Sequence, residues 1–341
     1  MMTYFLILAL LIVLELVYFK VADRYDIIDS PNERGSHTQV TLRGGGIIFL
    51  MGVWLWVAFF GWQYPWFLAG LTMISIVSFW DDVQSLPASV RLLMQFLTMG
   101  LVLWQVIVDN IEIIQGVSPW LLILIGTVVL FIAVGIVNAY NFMDGINGIT
   151  GGYSIAVLAP MLYLDTLGLE SIGLTEAFIA PPLLVVTLLA ALVFCFFNFR
   201  KKARCFAGDV GSIGVAFIIV FALSRLMSAT KDVTYIVFLL LYGVDTVLTI
   251  LHRIMLHENL GQAHRKHAFQ LMANELKIPH TTVATFYMVL QLVISCGMFL
   301  TEHHWIYFIA TAVLMGLAYL IFMKKFYHLH EKYLKELNGE D

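Results

Sequence analysis

Eleven long apolar segments constrain the fold of this chain more than any other feature of its sequence. A transmembrane helix needs about 20 predominantly apolar residues. Runs close to that length lie near residues 3–22, 44–61, 64–80, 90–108, 119–137, 148–166, 177–198, 210–228, 233–251, 281–300 and 304–323. Of the 341 residues, 60% are hydrophobic and only 12% are charged, whereas about a quarter of a soluble domain is charged. We therefore predict an all-α, multi-pass membrane protein with about 11 transmembrane helices, in which residues 1–341 form a single polytopic domain.

The sequence lacks the marks of several other protein classes. The first apolar run has neither the basic start nor the small-residue cleavage site of a signal peptide, so we expect it to be the first spanning helix. The three cysteines lie far apart and show no metal-ligand spacing. No basic segment with interleaved aromatic residues suggests a nucleic-acid partner.

The distribution of lysine and arginine predicts the orientation of the chain. Basic residues concentrate in the cytoplasmic loops of membrane proteins. If the N-terminus is outside, the C-terminal tail is inside and the inner loops begin at residues 23, 81, 138, 199 and 252. This orientation places 17 of the 19 basic residues inside and leaves only Arg225 and Lys231 outside. We predict an outside N-terminus, a cytoplasmic C-terminus and one site built from the five inner loops, because each of these loops contains an unusual polar motif.

The stretch from Asn138 to Thr150 places polar groups at the end of the fifth apolar segment. Asn138, Asn141 and Asp144 recur every three residues, so a helical continuation would bring them roughly onto one face. Asn147 follows, and two glycines in the same stretch allow a ligand to approach the backbone closely. Oxygen and amide groups suit a phosphate-bound divalent cation. A helix cap and a turn would explain any single asparagine, but four such groups with two glycines favour a site.

Two acidic motifs also lie where an apolar segment meets an inner loop. Asp81 and Asp82 place two carboxylates at a helix end, where one could act as a base and the other could assist a metal. The alternative is an interfacial cap paired with Arg91. Gly208 and Asp209 begin the eighth apolar segment, where free backbone N–H groups could cradle a phosphate and Asp209 could hold the cation. An ordinary N-cap is the alternative for this motif, which is not a Walker sequence.

The last inner loop carries the run His264-Arg265-Lys266-His267. Arginine can bind phosphate oxygens in bidentate fashion, so this loop suits a diphosphate. The positive-inside bias alone would also place basic residues here, and the spacing does not match a zinc site. Asp245 lies within an apolar segment, where a functional role is the default and a buried pair with Arg253 is the alternative.

The first inner loop contains two further candidates. Arg43 precedes three glycines, which could let a ligand pass close to the backbone or could simply form a flexible helix start. His37 ends the segment that begins at Asp29.

Taken together, these motifs resemble the polyprenyl-phosphate N-acetylhexosamine-1-phosphate transferase superfamily, and the resemblance spans roughly residues 20 to 275. The motifs that carry it are Asp81-Asp82, Asn138-x-x-Asn141-Phe-x-Asp144-Gly-x-x-Gly148, Gly208-Asp209-x-Gly-Ser212, and Asp245-Thr followed by Arg253 and Arg265-x-His267. The resemblance implies a fold of ten or eleven helices and a Mg²⁺-dependent reaction, with Mn²⁺ as a substitute. In this reaction undecaprenyl phosphate attacks the β-phosphorus of a UDP-N-acetylhexosamine and releases UMP.

The resemblance also implies a role for each matched residue. Asp209 is expected to bind the metal, with Asn141 or Asp144 completing the metal and nucleotide site, and the catalytic pair Asp81 and Asp82 to position or deprotonate the lipid phosphate. Substrate binding is expected from a larger set: Asn138, Asn147, Arg265, His267, His264, Gly208, Ser212, Arg43 and His37.

The same resemblance favours one branch of the superfamily. The peptidoglycan enzyme of the superfamily carries a His-His-His run where this chain has His264-Arg265-Lys266-His267, and the segment from Asp29 to His37 is similar to the O-antigen and capsule initiators. We therefore favour a UDP-N-acetylglucosamine-type donor over UDP-muramoyl-pentapeptide. The resemblance implies a location in the bacterial cytoplasmic (inner) membrane, with the active site on its cytoplasmic face and in contact with membrane lipid. It is also compatible with a homodimer.

A secondary transporter is the alternative from another class of protein. Transporters place ionisable groups near the bilayer midplane on broken helices, often within an inverted repeat. In this chain nearly all candidate groups fall at one predicted membrane face, and the two halves show no convincing repeat. The sequence therefore favours the transferase.

Overall fold

The computed structural model describes residues 1–29, 40–261 and 264–338 of the chain. The α-helices of this part are α1 (Met2–Arg24), α2 (Ile48–Phe60), α3 (Pro65–Val83), α4 (Ala88–Asp109), α5 (Pro119–Met143), α6 (Ile149–Thr166), α7 (Pro181–Asn198), α8 (Gly208–Thr230), α9 (Leu240–Met255), α10 (Ala268–Gln270), α11 (His280–Gly297) and α12 (His304–Asn338). Short 3-10 segments occupy Gly45–Ile47, Ile111–Ile114, Glu170–Ile172, Val233–Leu239 and Met298–Leu300, and a π-helical turn occupies Leu271–Glu275. Two short strands, β1 (Ile28–Asp29) and β2 (Thr41–Leu42), pair in antiparallel fashion.

Each of the eleven predicted apolar segments coincides with helical structure, and the all-α, multi-pass class is confirmed. Within the described residues, nine helices are long and apolar enough to cross a membrane, and Gly45–Phe60 is a shorter apolar helix. The remaining predicted segment is α6, in which glycines, Pro160 and Asp165 dilute the apolar character. The orientation of the two termini stays a prediction.

Helix α8 lies at the centre of the bundle. Every residue from Asp209 to Leu223 is buried, and α8 packs against α2, α3, α4, α5 and α6. No charged residue occurs between Val210 and Ser224, and a helix that is apolar on all sides is favoured in a core. In contrast, α5 and α12 expose most of their apolar side chains, as expected of helices that face lipid. The first turn of α8 is therefore fixed by neighbours on several sides.

The first and fourth inner loops meet at the start of α8. The N–H of Gly45 donates to the carbonyl of Phe206 at 2.9 Å, and that of Gly46 donates to the carbonyl of Ala207 at 3.1 Å. A Cβ on Gly46 would lie 2.2 Å from the Cα of Gly211, so only glycine allows the two backbones to come this close. The glycines after Arg43 thus bring two parts of the chain together.

Helix α12 extends well beyond a single membrane crossing. Its 35 residues would measure about 50 Å, whereas the hydrocarbon core of a bilayer is about 30 Å thick. The last turns contain Lys324, Lys325 and Lys335 and pack against the segment after His267. This extension therefore contacts the last inner loop outside the apolar part of the bundle.

Candidate active site

Asp82 closes the N-terminus of α8. Its Oδ1 accepts the N–H of Asp209 at 2.8 Å, and its Oδ2 accepts the N–H of Val210 at 3.0 Å. Gly208 has φ +69°, and a Cβ there would lie 2.5 Å from Asp82 Oδ2. The helix has no side-chain cap of its own, so the carboxylate of Asp82 satisfies two of its free amides. These two amides donate to Asp82 rather than to a phosphate, and the phosphate role of Gly208 stays a prediction.

Two arginines join three carboxylates above this helix end. Arg43 Nε lies 2.7 Å from Asp82 Oδ1, and its Nη2 lies 3.5 Å from Asp209 Oδ1. Arg91 Nη1 lies 3.0 Å from Asp81 Oδ2 and 3.4 Å from Asp209 Oδ2. The arginine side chains are 31% and 38% exposed, whereas that of Asp82 is fully buried. The structure thus joins the first, second and fourth inner loops in one cluster, which we call the carboxylate–arginine cluster (Arg43, Asp81, Asp82, Arg91 and Asp209).

The geometry is compatible with both interpretations of the Asp81–Asp82 pair, an interfacial cap and a catalytic pair. Asp81 accepts the N–H of Leu86 at 2.6 Å and pairs with Arg91, as expected of an interfacial cap. The same contacts place Asp81 beside Asp209 through their shared arginine. A catalytic role for Asp81 and Asp82 stays a prediction.

The stretch from Asn138 to Thr150, which we call the asparagine-rich turn, contacts the first turns of α8 through Asn141. The hydroxyl of Ser212 donates to Asn141 Oδ1 at 3.0 Å and to the carbonyl of Gly208 at 3.0 Å. Asp144 accepts the hydroxyl of Thr150 at 2.5 Å. Burial raises the pKa of Asp144 to about 6, and the hydrogen bond from Thr150 opposes that increase. Asn141 and Asp144 are therefore oxygen donors beside the first turn of α8.

Asn138 and Asn147 have protein partners instead. The Asn138 side chain donates to Gln95 Oε1 at 2.7 Å and so joins α5 to α4. The Asn147 side chain donates to the carbonyl of Arg200 at 3.0 Å and holds the fourth inner loop. Substrate contacts from these two asparagines stay predictions.

The last inner loop is anchored to α9 through Asp245. His267 Nδ1 lies 3.1 Å from Asp245 Oδ1, and both side chains are 2% exposed. A buried pair of Asp245 with Arg253 was the alternative to a functional role, and Arg253 pairs instead with Glu258 at 3.1 Å. His264 accepts the N–H of Lys266 at 3.3 Å. Burial, followed by the positive charges of His267, Arg253 and Lys266, lowers the pKa of His264 to about 3.

Arg265 is directed towards α12. Its Nη1 donates to the hydroxyl of Tyr333 at 3.1 Å, its guanidinium lies 4.7 Å from the centre of that ring, and its Nη2 lies 3.9 Å from Glu275 Oε1. These contacts fix the loop to the C-terminal extension. Diphosphate binding by Arg265 stays a prediction, and His37 lies outside the described residues.

Several members of the site cannot be identified from local sequence. The pairing of Asp82 with the start of α8 joins residues 127 positions apart. One signal was available, because the side chain of Ala207 at the N-cap has no hydrogen-bond acceptor and the helix therefore needs an acceptor from elsewhere. Phe269 was also not predicted from the sequence, although its ring packs against both Gly145 and His267.

An apolar cavity of about 370 Å³ lies beside the asparagine-rich turn, between α5, α9 and α12. Ala139 and Tyr140 line it, and both directly precede Asn141. The rest of the wall is almost entirely hydrocarbon, with Gly243 and Gly316 leaving space between the helices. A hydrocarbon chain could therefore lie next to the polar site.

The oxygen donors of the cluster fit a sparsely ligated magnesium ion. In the described parts of the chain, no three His, Cys, Asp or Glu side chains form a metal-ligand group. Magnesium is commonly held by one or two carboxylates, with waters and substrate phosphates completing its shell. The carboxylate of Asp209 is 12% exposed and its arginine contacts are long, so it retains capacity for a cation. The cluster contains three carboxyl groups and two arginines, so its acidic groups outnumber its basic groups.

The fold and this site define a polytopic membrane protein whose polar, phosphate-compatible centre is assembled from loops at one end of a helix bundle. The model for glycosyl transferase family 4 matches residues 64–227. This match supports the resemblance of the chain to the polyprenyl-phosphate N-acetylhexosamine-1-phosphate transferase superfamily.

Curated relatives agree with this resemblance. A probable undecaprenyl-phosphate N-acetylglucosaminyl 1-phosphate transferase of Bacillus subtilis is 26% identical over 281 residues, which cover 76% of this chain and 73% of the relative. A decaprenyl-phosphate N-acetylglucosaminephosphotransferase of Mycobacterium leprae is 28% identical and covers 69% of this chain and 67% of its own length. A phospho-N-acetylmuramoyl-pentapeptide-transferase of Limosilactobacillus reuteri is 33% identical, but over only 27% of each chain.

Proposed function

We propose that this protein transfers N-acetylglucosamine-1-phosphate from UDP-N-acetylglucosamine to undecaprenyl phosphate and releases UMP, as the initiating step of a cell-envelope polysaccharide such as O-antigen. The observation that carries the proposal is the carboxylate–arginine cluster at the start of α8, with an apolar cavity nearby. The names of the most extensively aligned relatives support both the acceptor and the sugar phosphate. The predicted orientation supports a site on the cytoplasmic face of the inner membrane.

The two arginines are suited to the phosphates of the substrates. Arg43 and Arg91 each have one nitrogen within 3.0 Å of a carboxylate, and about a third of each side chain is exposed. Guanidinium groups bind phosphate oxygens in a planar, bidentate geometry. We assign to Asp81 and Asp82 the task of holding these arginines and the start of α8 where the lipid phosphate meets the UDP-sugar.

Magnesium belongs to the same proposal. Asp209 would hold it, and Asn141 or Asp144 would complete the metal and nucleotide site. When bound, the ion would neutralise negative charge on the diphosphate and on the developing transition state. The capacity of Asp209 for a cation supports this assignment.

The cavity between α5, α9 and α12 is the proposed place for the first part of the polyprenyl chain. The lining of the cavity is apolar. Tyr140 lies in this lining, and its ring packs edge-to-face against Tyr153 and Tyr242. An isoprenoid that lies there would bring its phosphate towards Asn141. This arrangement explains why an apolar space and a charged site are neighbours.

A donor panel tests the proposed function against its nearest alternative. Purified protein is supplied with undecaprenyl phosphate, Mg²⁺, and either UDP-N-acetylglucosamine or UDP-muramoyl-pentapeptide, and the lipid products are identified by mass. We expect polyprenyl-diphospho-N-acetylglucosamine from the first donor. Product from the second donor alone would assign the chain to peptidoglycan synthesis, as the partial match to the Limosilactobacillus enzyme would suggest.

A further inference from the structure

Asp245 is the most fully bonded buried carboxylate near the last inner loop. Its Oδ1 accepts the N–H of Ala268 at 3.1 Å and faces His267 Nδ1 at the same distance, and its Oδ2 accepts the hydroxyl of Tyr287 at 2.6 Å. Thr249 donates to Oδ1 at 3.2 Å. An ionised carboxylate can only accept hydrogen bonds, so the His267 nitrogen that faces it carries the hydrogen.

The other nitrogen of His267 has no hydrogen-bond partner among the described residues. His267 Nε2 is buried and makes no hydrogen bond within the described parts of the chain. A buried polar atom without a partner costs free energy, and such a group is expected where a ligand completes the hydrogen bonds. The ring itself is held in place, because Phe269 stacks on it at 5.7 Å.

Phe269 also connects the histidine to the asparagine-rich turn. A Cβ on Gly145 would lie 3.0 Å from the Phe269 ring, so the two segments are in close contact at this point. Gly145 directly follows Asp144. His267 therefore lies in the same neighbourhood as the oxygen donors of the site, although it is 123 positions from Asp144 in sequence.

We propose that Asp245 is a positioning residue that fixes the ring of His267 so that Nε2, rather than Nδ1, binds the diphosphate of the sugar donor. This inference rests on the proposed function for the identity of the ligand. In the doubly protonated ring, Nδ1–H donates to Asp245 and Nε2–H donates to a phosphate oxygen. Carboxylates fix the orientation of metal-binding histidines in the same way.

The charged groups near His267 are largely paired with one another. Glu258 is paired with Arg253 and with Lys266. His264, whose ring lies 5.0 Å away, is neutral at neutral pH because its pKa is about 3. Tyr287 and Gln270 contribute neutral hydrogen-bonding groups. Asp245 is therefore the charged group in direct contact with the ring.

The first test observes the ring directly. Protein labelled with ¹⁵N-histidine is studied by NMR at a pH where the imidazole is neutral, and His267→Gln identifies the signals of His267. We expect hydrogen on Nδ1 in the wild type and loss of that preference in Asp245→Asn. At a lower pH, where the ring is doubly protonated, addition of UDP-N-acetylglucosamine should shift the Nε2 signal more than the Nδ1 signal. Asp232→Asn is the matched control, because Asp232 pairs with His304 at 2.5 Å and not with His267.

The second test measures donor use. Substitution of a residue that orients a metal-binding histidine typically costs about 10-fold to 100-fold, and by analogy Asp245→Asn should raise KM for the UDP-sugar by about tenfold. Asp245→Glu should restore part of the loss, and Asp232→Asn should match the wild type.

Two results would overturn the inference: a wild-type His267 with hydrogen on Nε2 in the neutral ring, or an Asp245→Asn enzyme with unchanged KM. The position of the hydrogen in wild-type His267 is measured without any variant of Asp245, so this result tests the inference even if Asp245→Asn does not fold. A wild-type protein that transfers no sugar phosphate would refute the proposed function instead, and the NMR result would still decide whether Asp245 fixes the ring.

Discussion

At the scale of single residues, Asp82 and Asp209 have different roles at the start of α8, although their sequence motifs suggest the same two roles, a helix cap or a metal ligand. Asp82 has both oxygens engaged by backbone amides and Arg43, so it stabilises the start of α8. Asp209 contributes its backbone to that cap, while its side chain lies beside Asp81 and makes long contacts with the two arginines. The capping explanation for the Gly208-Asp209 motif therefore applies to the backbone of Asp209 and leaves its carboxylate available.

Substitution of Asp209 separates the two tasks experimentally. Asp209→Asn should insert and fold like the wild type, because the helix keeps its Asp82 cap. Loss of a metal-binding carboxylate should lower turnover by roughly a thousandfold, with partial recovery at high Mg²⁺ or with Mn²⁺. Asp109→Asn is the control, since Asp109 pairs with Arg225 at 2.8 Å outside the cluster and should remain active. Ordinary turnover and unchanged Mg²⁺ dependence in Asp209→Asn would make Asp144 the next candidate.

The acidity of Asp144 gives a prediction about pH. Its pKa of about 6 reflects burial, partly opposed by the hydroxyl of Thr150. Removal of that hydroxyl in Thr150→Val should raise the pKa further, so the ionised carboxylate would form only at higher pH. If ionised Asp144 takes part in donor binding, the acid side of the pH profile of kcat/KM should move upward in the variant.

The control for this experiment is Thr187→Val, which changes a buried threonine that bonds to its own helix at Leu183. Its pH profile should match that of the wild type. An acid limb at the same pH in Thr150→Val and the wild type would exclude Asp144 as the titrating group.

At the scale of elements, the contact between the glycines before α2 and the first turn of α8 determines where the cluster forms. Arg43 directly precedes this contact, and Asp209 lies within the first turn of α8. The two backbones approach so closely that a side chain at Gly46 would overlap with Gly211. The geometry of the site therefore depends on the close contact between Gly46 and Gly211, two residues that have no functional side chain.

Gly46→Ala should destabilise the protein by about 1–3 kcal/mol or more, since the obstructing atoms belong to backbone and cannot rotate away. Thermal unfolding in detergent, monitored by loss of secondary structure, measures the effect. Gly100→Ala is the matched control, because a Cβ there meets no atom within 4 Å. Equal melting temperatures for the two variants would contradict the close crossing.

The helices were predictable from sequence because a chain in hydrocarbon must satisfy its backbone polar groups internally, which makes long apolar runs helical. The sequence also predicted that the inner-loop motifs form one site; the structure brings Arg43, Asp82 and Asp209 into contact, and the site itself stays a prediction. Specific partners were not predictable. Whether Asp245 bonds to Arg253 or His267 depends on how the loop folds back onto α9, and neither residue type nor spacing contains that information.

At the scale of the whole molecule, the predicted orientation awaits a direct test. Single cysteines at Lys202, Lys231 and Lys335 are suitable, because all three positions are exposed, whereas Lys266 is largely buried in its pair with Glu258. Cys296 is exposed and should first be replaced by serine. A membrane-impermeant thiol reagent added to intact cells should label position 231 only. Labelling at position 202 or 335 would mean that the orientation is wrong.

The central claim is that the protein transfers a sugar phosphate to a lipid phosphate, and the fate of the β-phosphorus tests it most directly. Purified protein is incubated with undecaprenyl phosphate, Mg²⁺ and UDP-N-acetylglucosamine that contains ³²P only at the β-position, and the lipid and aqueous phases are separated. We predict that ³²P enters the lipid phase in equal amount with released UMP, and that Asp209→Asn abolishes both. Retention of ³²P in released UDP while the sugar enters the lipid would show simple glycosyl transfer and contradict the account, as would the absence of any lipid product.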